Sequence, residues 1–158
     1  MLRTLAAVLV LVTAAAVLSA LANAVPKGAN QKIAITAKGD TDHFVLSPVG
    51  RGALARDSGD VSWCCWSRRF VTRNGQTAEI NDPLATFTGA RGTFEIRFRI
   101  EWLDAGGGYT VGTSTWRLVR GTGEYEGLSG GGRAAQLWIP PDHPASFRAV
   151  GFLGSHRG

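Results

Sequence analysis

The sequence predicts an all-β protein, a single antiparallel barrel of about eight strands, and three observations carry that expectation. Residues 93–102 read Thr-Phe-Glu-Ile-Arg-Phe-Arg-Ile-Glu-Trp. Phe94, Ile96, Phe98, Ile100 and Trp102 share one face of an extended strand, while Thr93, Glu95, Arg97, Arg99 and Glu101 share the other. Wound as a helix, the same residues would leave no polar face. Second, short extended segments recur at even spacing with Gly, Pro, Asn and Asp between them, as in a barrel or a sandwich. Third, beyond the leader no stretch has the period of an amphipathic helix. One such strand cannot stay folded alone, because ordering each residue costs about 1–2 kcal/mol of backbone entropy. A sheet curved back on itself covers the apolar face and pairs both edges.

The chain opens with Arg3, an uncharged apolar run over residues 5–21 and then Ala22-Asn23-Ala24. This is the pattern of a secretory signal peptide over residues 1–24. The run falls short of a comfortable membrane span, so the expected product is secreted, to an extracellular, cell-wall or periplasmic space, without stable membrane insertion. Residues 25–31 read as a polar linker, 32–154 as the barrel domain and 155–158 as a tail.

Within the domain, residues 32–37 form a strand with Ile33 and Ile35 inward, turned by Gly39-Asp40. Residues 43–47 give a second strand, interrupted at Pro48. Asp57-Ser58-Gly59-Asp60 reads as a loop. Residues 61–72 read as one strand running to Asn74-Gly75, the strongest hairpin signal in the chain, which pairs its end with residues 76–80. A short strand covers 85–88, after Pro83. Asp104-Ala105-Gly106-Gly107-Gly108 reverses the chain into a strand over 109–120, the expected partner of 93–102. A bulge is expected there near 112–114, because Tyr109, Val111 and Thr113 share one parity and Trp116 and Leu118 the other. Residues 121–132 read as a glycine-rich loop with a helical turn at 124–128, 133–139 as a strand, 140–144 as a stiff loop and 146–153 as the last strand.

The formal net charge is +5, carried mostly by dispersed arginines that alternate with acids. A nucleic-acid binder clusters Lys and Arg with exposed aromatics between them, so nucleic acid is not an expected partner. Glu95, Arg97, Arg99 and Glu101 are expected in cross-strand charge pairs with residues such as Arg117. The cysteines, Cys64 and Cys65, are adjacent. A vicinal disulfide, two free thiols and an intermolecular bridge are all open, and free thiols are the expected form because consecutive Cα atoms lie closer than an ordinary bridge allows.

Few residues suggest chemistry. Gly121-Thr122-Gly123 is not followed by Gly-Lys-Ser/Thr and reads as a turn. Asp40, Asp42 and His43 have no further ligand at metal spacing, so no metal or other cofactor is implied. Cys64 or Cys65 shows no spacing that brings it to His43, His143 or His156, and no catalytic constellation is identifiable. Trp63, Trp66, Trp102, Trp116 and Trp138 read as core filling, with Trp63 and Trp66 on opposite faces of one strand; on the outside they would suit sugar-ring stacking.

Residues 120–130 read Arg-Gly-Thr-Gly-Glu-Tyr-Glu-Gly-Leu-Ser-Gly. This resembles the glycine-rich turn of allene oxide cyclases and the related dirigent proteins, in which Gly-x-Gly, an aromatic and a further Gly precede a strand. Residues 147–154 look like the closing strand of that group, and the resemblance spans mainly residues 116–154. It implies a calycin-like or allene oxide cyclase-like barrel with an apolar cavity, one end sealed by the motif's aromatic. The cyclases act on a fatty-acid epoxide and dirigent proteins steer the coupling of phenol radicals. Their catalytic residues lie on strands with no residue-by-residue match here, so none is carried over. The resulting expectation is a secreted barrel that holds a small apolar or phenolic molecule among Phe94, Ile96, Phe98, Ile100, Trp102 and Trp116. The alternatives are a cyclase or isomerase and a cell-wall or carbohydrate-binding module.

Overall fold

The computed structural model describes residues 30–38, 42–139 and 143–155. The expected signal peptide, most of the expected linker, the Gly39-Asp40 turn, residues 140–142 of the expected stiff loop and His156 lie outside the described residues. The strands are β1 (Gln31–Lys38), β2 (His43–Val49), β3 (Asp57–Cys64), β4 (Arg68–Arg73), β5 (Gln76–Asn81), β6 (Leu84–Gly89), β7 (Gly92–Gly106), β8 (Tyr109–Gly121), β9 (Leu128–Ile139) and β10 (His143–Ser155). A 3-10 turn, Gly123–Tyr125, joins β8 to β9.

The sheet order is β4-β5-β7-β6-β3-β2-β1-β10-β9-β8, and β8 pairs back onto β7. This closes an antiparallel 8-strand barrel with β4 and β5 outside it, as the even spacing of strands predicts. The 15 residues of β7 explain the outliers. Its first half pairs β6 through Gly92 to Arg97, and its later half pairs β5 through Ile100 to Trp102. One long edge therefore carries two short strands in succession.

Alternation along each strand sets one continuous interior. Phe87 faces Phe94, Phe98 faces Trp116, Ile100 faces Ser114, and Trp102 faces Gly112. The β8–β9–β10 wall is built from small residues that receive indoles. A Cβ on Gly112 would lie 2.8 Å from the Trp102 ring, and one on Gly151 would run into Trp116. The rings of Phe44, Phe87 and Phe94 meet at 4.8–5.6 Å between centroids, and Trp63 and Phe98 meet Phe147 of β10 and each other at 5.4–6.1 Å. Each such residue contributes about 1.5–3 kcal/mol by leaving water.

Several expectations need correction. Asp57-Ser58-Gly59-Asp60 is the start of β3 rather than a loop, because Asp57 is buried with its carboxylate occupied by hydrogen bonds. The single strand expected over 61–72 breaks into β3 and β4: Cys64 and Cys65 form a vicinal disulfide and Cys65 has φ 63°. The free thiols expected there are thus absent, and Trp66, beyond the break, is not a strand residue. Pro48 lies within β2, opposite Ile33. It is tolerated because the β2–β3 ladder covers only His43 to Leu46, so its missing N–H falls outside that ladder. The β8 bulge is at Val119, where Ile96 faces Leu118 and Glu95 faces Arg120, and not near 112–114. Tyr109, Val111 and Thr113 simply point outward. β9 begins at Leu128, inside the expected loop. The Asn74-Gly75 turn is found as read, with φ 51° and 78°, the left-handed pair of a type I′ hairpin.

The outer charges also differ from expectation. Glu95 pairs with Arg120 at 2.6 Å, but Arg97 faces Arg117, Arg99 faces Thr115 and Glu101 faces Thr113.

Candidate functional site at the Trp102 end of the barrel

The two ends of the interior differ in chemistry. At the Phe94 end, Tyr125 on the 3-10 turn is 1% exposed and lies 4.5 Å from the Phe94 ring. Its hydroxyl donates to Asp57 Oδ2 at 2.8 Å. Asp57 Oδ1 accepts from the Ser58 and Ala90 amides at 2.9 and 3.1 Å. Burial first, and then the bond to Asp57, push the Tyr125 phenol well above its ordinary pKa. Nearby, the Leu54 amide donates to Gln31 Oε1 at 2.7 Å. Every polar group in this cluster has a partner, so this end is a structural seal, placed where the aromatic of the glycine-rich turn was expected to act.

The Trp102 end is different. Ser114 on β8 and Gln136 on β9 point inward and are each 7% exposed. Ser114 Oγ and Gln136 Nε2 have no hydrogen-bond partner. Ser114 faces Ala134 and Gly112 faces Gln136, so the two polar side chains are diagonal neighbours, about 7–8 Å apart at the backbone. Leaving each orphaned costs about 1–3 kcal/mol. Their surroundings are aromatic: the Trp102 ring covers Gly112, and Phe147 of β10 faces Gln136 across the β9–β10 ladder.

The rim continues outward from there. Trp63 packs on Phe98 at 5.4 Å and on Trp66 at 6.0 Å with the rings 26° apart. Trp66 is 55% exposed. A ladder of rings therefore runs from the core to solvent, with the Cys64–Cys65 disulfide between its outer rungs. Glu79, on the face of β5 shared with Trp102, is held by Arg68 at 2.7 Å and by the Asn81 amide at 3.0 Å.

The structure distributes the expected ligand residues along the barrel. Phe94 and Ile96 belong to the sealed half. Phe98, Ile100 and Trp116 lie in the buried middle, with the Trp116 indole donating to the Val150 carbonyl at 3.2 Å. Trp102 is partly buried against this cluster, beside the orphaned pair. Ser114 and Gln136 were missed because the bulge expected at 112–114 obscured the inward parity of Ser114. A polar residue two positions from the inward Trp116 is the signal that finds Ser114; Gln136 lies two positions from Trp138, which is exposed, and carries no such signal.

Chemically, the pair offers a hydroxyl that both donates and accepts and an amide that donates. Neither titrates. Among the described residues no group of three or more His, Cys, Asp and Glu could hold a metal; His43 Nδ1 lies 3.4 Å from Asp60 on an exposed surface, and Asp40 is outside the described residues. Comparisons with family models, with characterised proteins and with solved structures match none.

Proposed function

We propose that this protein is a secreted barrel that binds a small, mainly apolar molecule bearing a hydroxyl, such as a phenol, at the Trp102 end of its interior. The observation that carries the reading is the orphaned pair, Ser114 Oγ and Gln136 Nε2, buried on one wall among aromatic rings. A phenolic oxygen accepting from Gln136 and donating to Ser114 would satisfy both groups while its ring stacks on apolar neighbours. Polar groups placed this way reject an analogue that cannot pair with them. Titration with phenol and with anisole, followed by tryptophan fluorescence, tests this. Phenol is expected to bind more tightly, and the combined Ser114→Ala and Gln136→Leu variant to lose the preference; equal binding of the two probes, or none, would sink the idea.

Binding is favoured over a cyclase or isomerase. Asp57, on the inner face of the ring, and Glu79, on β5 beside it, are both engaged in hydrogen bonds or ion pairs, and a catalytic acid or base must reach its substrate. A second reading, carbohydrate binding, rests on the exposed Trp66 stacked on Trp63. Loss of iodide quenching of Trp66 on adding a soluble oligosaccharide would support it.

A further inference from the structure

The outer face of β7, β8 and β9 carries a concentration of cations that the barrel itself does not need. Arg97 and Arg117 face one another across the β7–β8 ladder, and Arg99, Thr115 and Arg133 form one continuous cross-strand row. Like charges placed directly opposite destabilise a sheet, so this arrangement is a cost to the fold. Among the described residues, Arg99, Arg117 and Arg133 have no carboxylate within ion-pair reach, and Arg97 donates only to the Asp82 carbonyl at 3.4 Å.

The surface around them is concave. One groove of ≈ 340 Å³ is lined by Ile80, Arg99, Glu101, Thr113, Thr115 and Arg133, with Ser114 and Ala134 of the adjoining β8 and β9 backbone rows. A second, of ≈ 310 Å³, is lined by Asp82, Arg97, Arg99, Thr115 and Arg117 among others. The two share Arg99 and Thr115, so they meet along the middle of the sheet. Ile80 on β5 walls one side, because it faces Glu101 on the outer surface. Two carboxylates lie at the margins: Glu101, and Asp82, which is already engaged by Arg69 at 3.5 Å. The balance of the trough remains positive.

We propose that this trough is a binding site for a ligand carrying two or more oxyanion groups, a phosphate or sulfate ester. The guanidinium fork matches such oxyanions with paired hydrogen bonds. The Thr113 and Thr115 hydroxyls supply neutral donors on the floor. Cations on adjacent and next-adjacent strands, about 5–10 Å apart at the backbone, suit a ligand with more than one charged group better than a single ion. A bound anion would also relieve the repulsion between Arg97 and Arg117. By register the Arg97, Arg99, Arg117 and Arg133 side chains leave the face of the sheet opposite to the Ser114 and Gln136 side chains, although Ser114 also borders the first groove, and the proposal does not use the interior reading.

Calorimetric titration of the whole protein at low salt, with pyrophosphate in one arm and a sulfated disaccharide in the other, tests this. At least one probe is expected to bind, with affinity falling as sodium chloride is raised, and the tighter arm identifies the source of the oxyanion. The Arg99→Ala/Arg117→Ala variant is expected to bind about tenfold or more weakly, while Arg51→Ala/Arg73→Ala, remote from the trough, binds as the parent does. Chemical-shift changes at the Arg99 and Arg117 Nε–H groups on adding the probe provide a second readout should the double variant fold poorly. Binding of neither probe, or binding undiminished in the Arg99/Arg117 variant and without shifts at those groups, would overturn the proposal.

Discussion

Tyr125 closes the barrel with its ring and holds Asp57 with its hydroxyl, so one side chain links the 3-10 turn to the start of β3. Tyr125→Phe keeps the ring and removes the donor to a buried carboxylate. The expected loss is about 1.5–3 kcal/mol, the range for hydrogen bonds to charged groups, read as a lower urea midpoint with an unchanged slope. The same bond makes stability fall at high pH. The phenol's pKa is raised in the folded state, by burial and then by Asp57, whereas the unfolded chain's tyrosine ionises near about 10. The stabilisation is therefore whole below that pH and declines above it, by at most about 1.4 kcal/mol per pH unit for one proton. Urea midpoints at successive alkaline pH values should show this decline in the parent and a shallower one in Tyr125→Phe; parallel curves would mean that the phenol ionises as readily folded as unfolded.

At the level of elements, the parts legible in the sequence were those with local causes. β7 showed in its alternation, β8 in the glycine turn before it and the β4–β5 hairpin in Asn74-Gly75. Asp57 was misread because a polar residue enters a core only when a distant partner receives it, and Tyr125 is 68 residues away. The break between β3 and β4 depended on a disulfide that spacing left open. Ser114 was hidden by an error of parity, although the strand around it is regular. Two glycines separate the kinds of constraint involved. Gly112→Ala places a Cβ 2.8 Å from the Trp102 ring, an overpacking expected to cost about 1–3 kcal/mol and to shift tryptophan emission as the indole moves. Gly75→Ala meets nothing within 4 Å but must adopt φ 78°, so its cost of about 1 kcal/mol should come with no spectral change. Thermal midpoints and emission spectra of the pair distinguish the two causes. Cys65→Ser opens the ring that ties Cys64 to Cys65, and Trp66 should become more accessible to iodide without loss of the global fold.

Across the whole molecule, closure was legible from the number and spacing of strands, but the position of β4 and β5 outside the ring was not. No local pattern tells a strand that joins the barrel from one that takes the upper edge of a long neighbour. That division has a consequence for how the barrel tolerates cutting. Gln31 on β1 faces Leu153 on β10, so a short loop of about 4–6 residues can join residue 155 to residue 30 once residues 1–29 and 156–158 are removed. Reopening such a circular permutant between Asn74 and Gly75 cuts an exposed hairpin outside the ring, where chain breaks are best tolerated, and the change in loop-closure entropy is small. It should fold to the same barrel and unfold in one cooperative transition. Reopening between Ala90 and Arg91 instead cuts beside the amide that donates to Asp57 and the Arg91 side chain that pairs with Glu124 at 2.6 Å, loosening the seal as well as the β6–β7 turn. That permutant should be the less stable of the two in urea, and its tyrosine absorption should titrate at lower pH. Equal stability would show that the Tyr125–Asp57 seal does not depend on the β6–β7 turn.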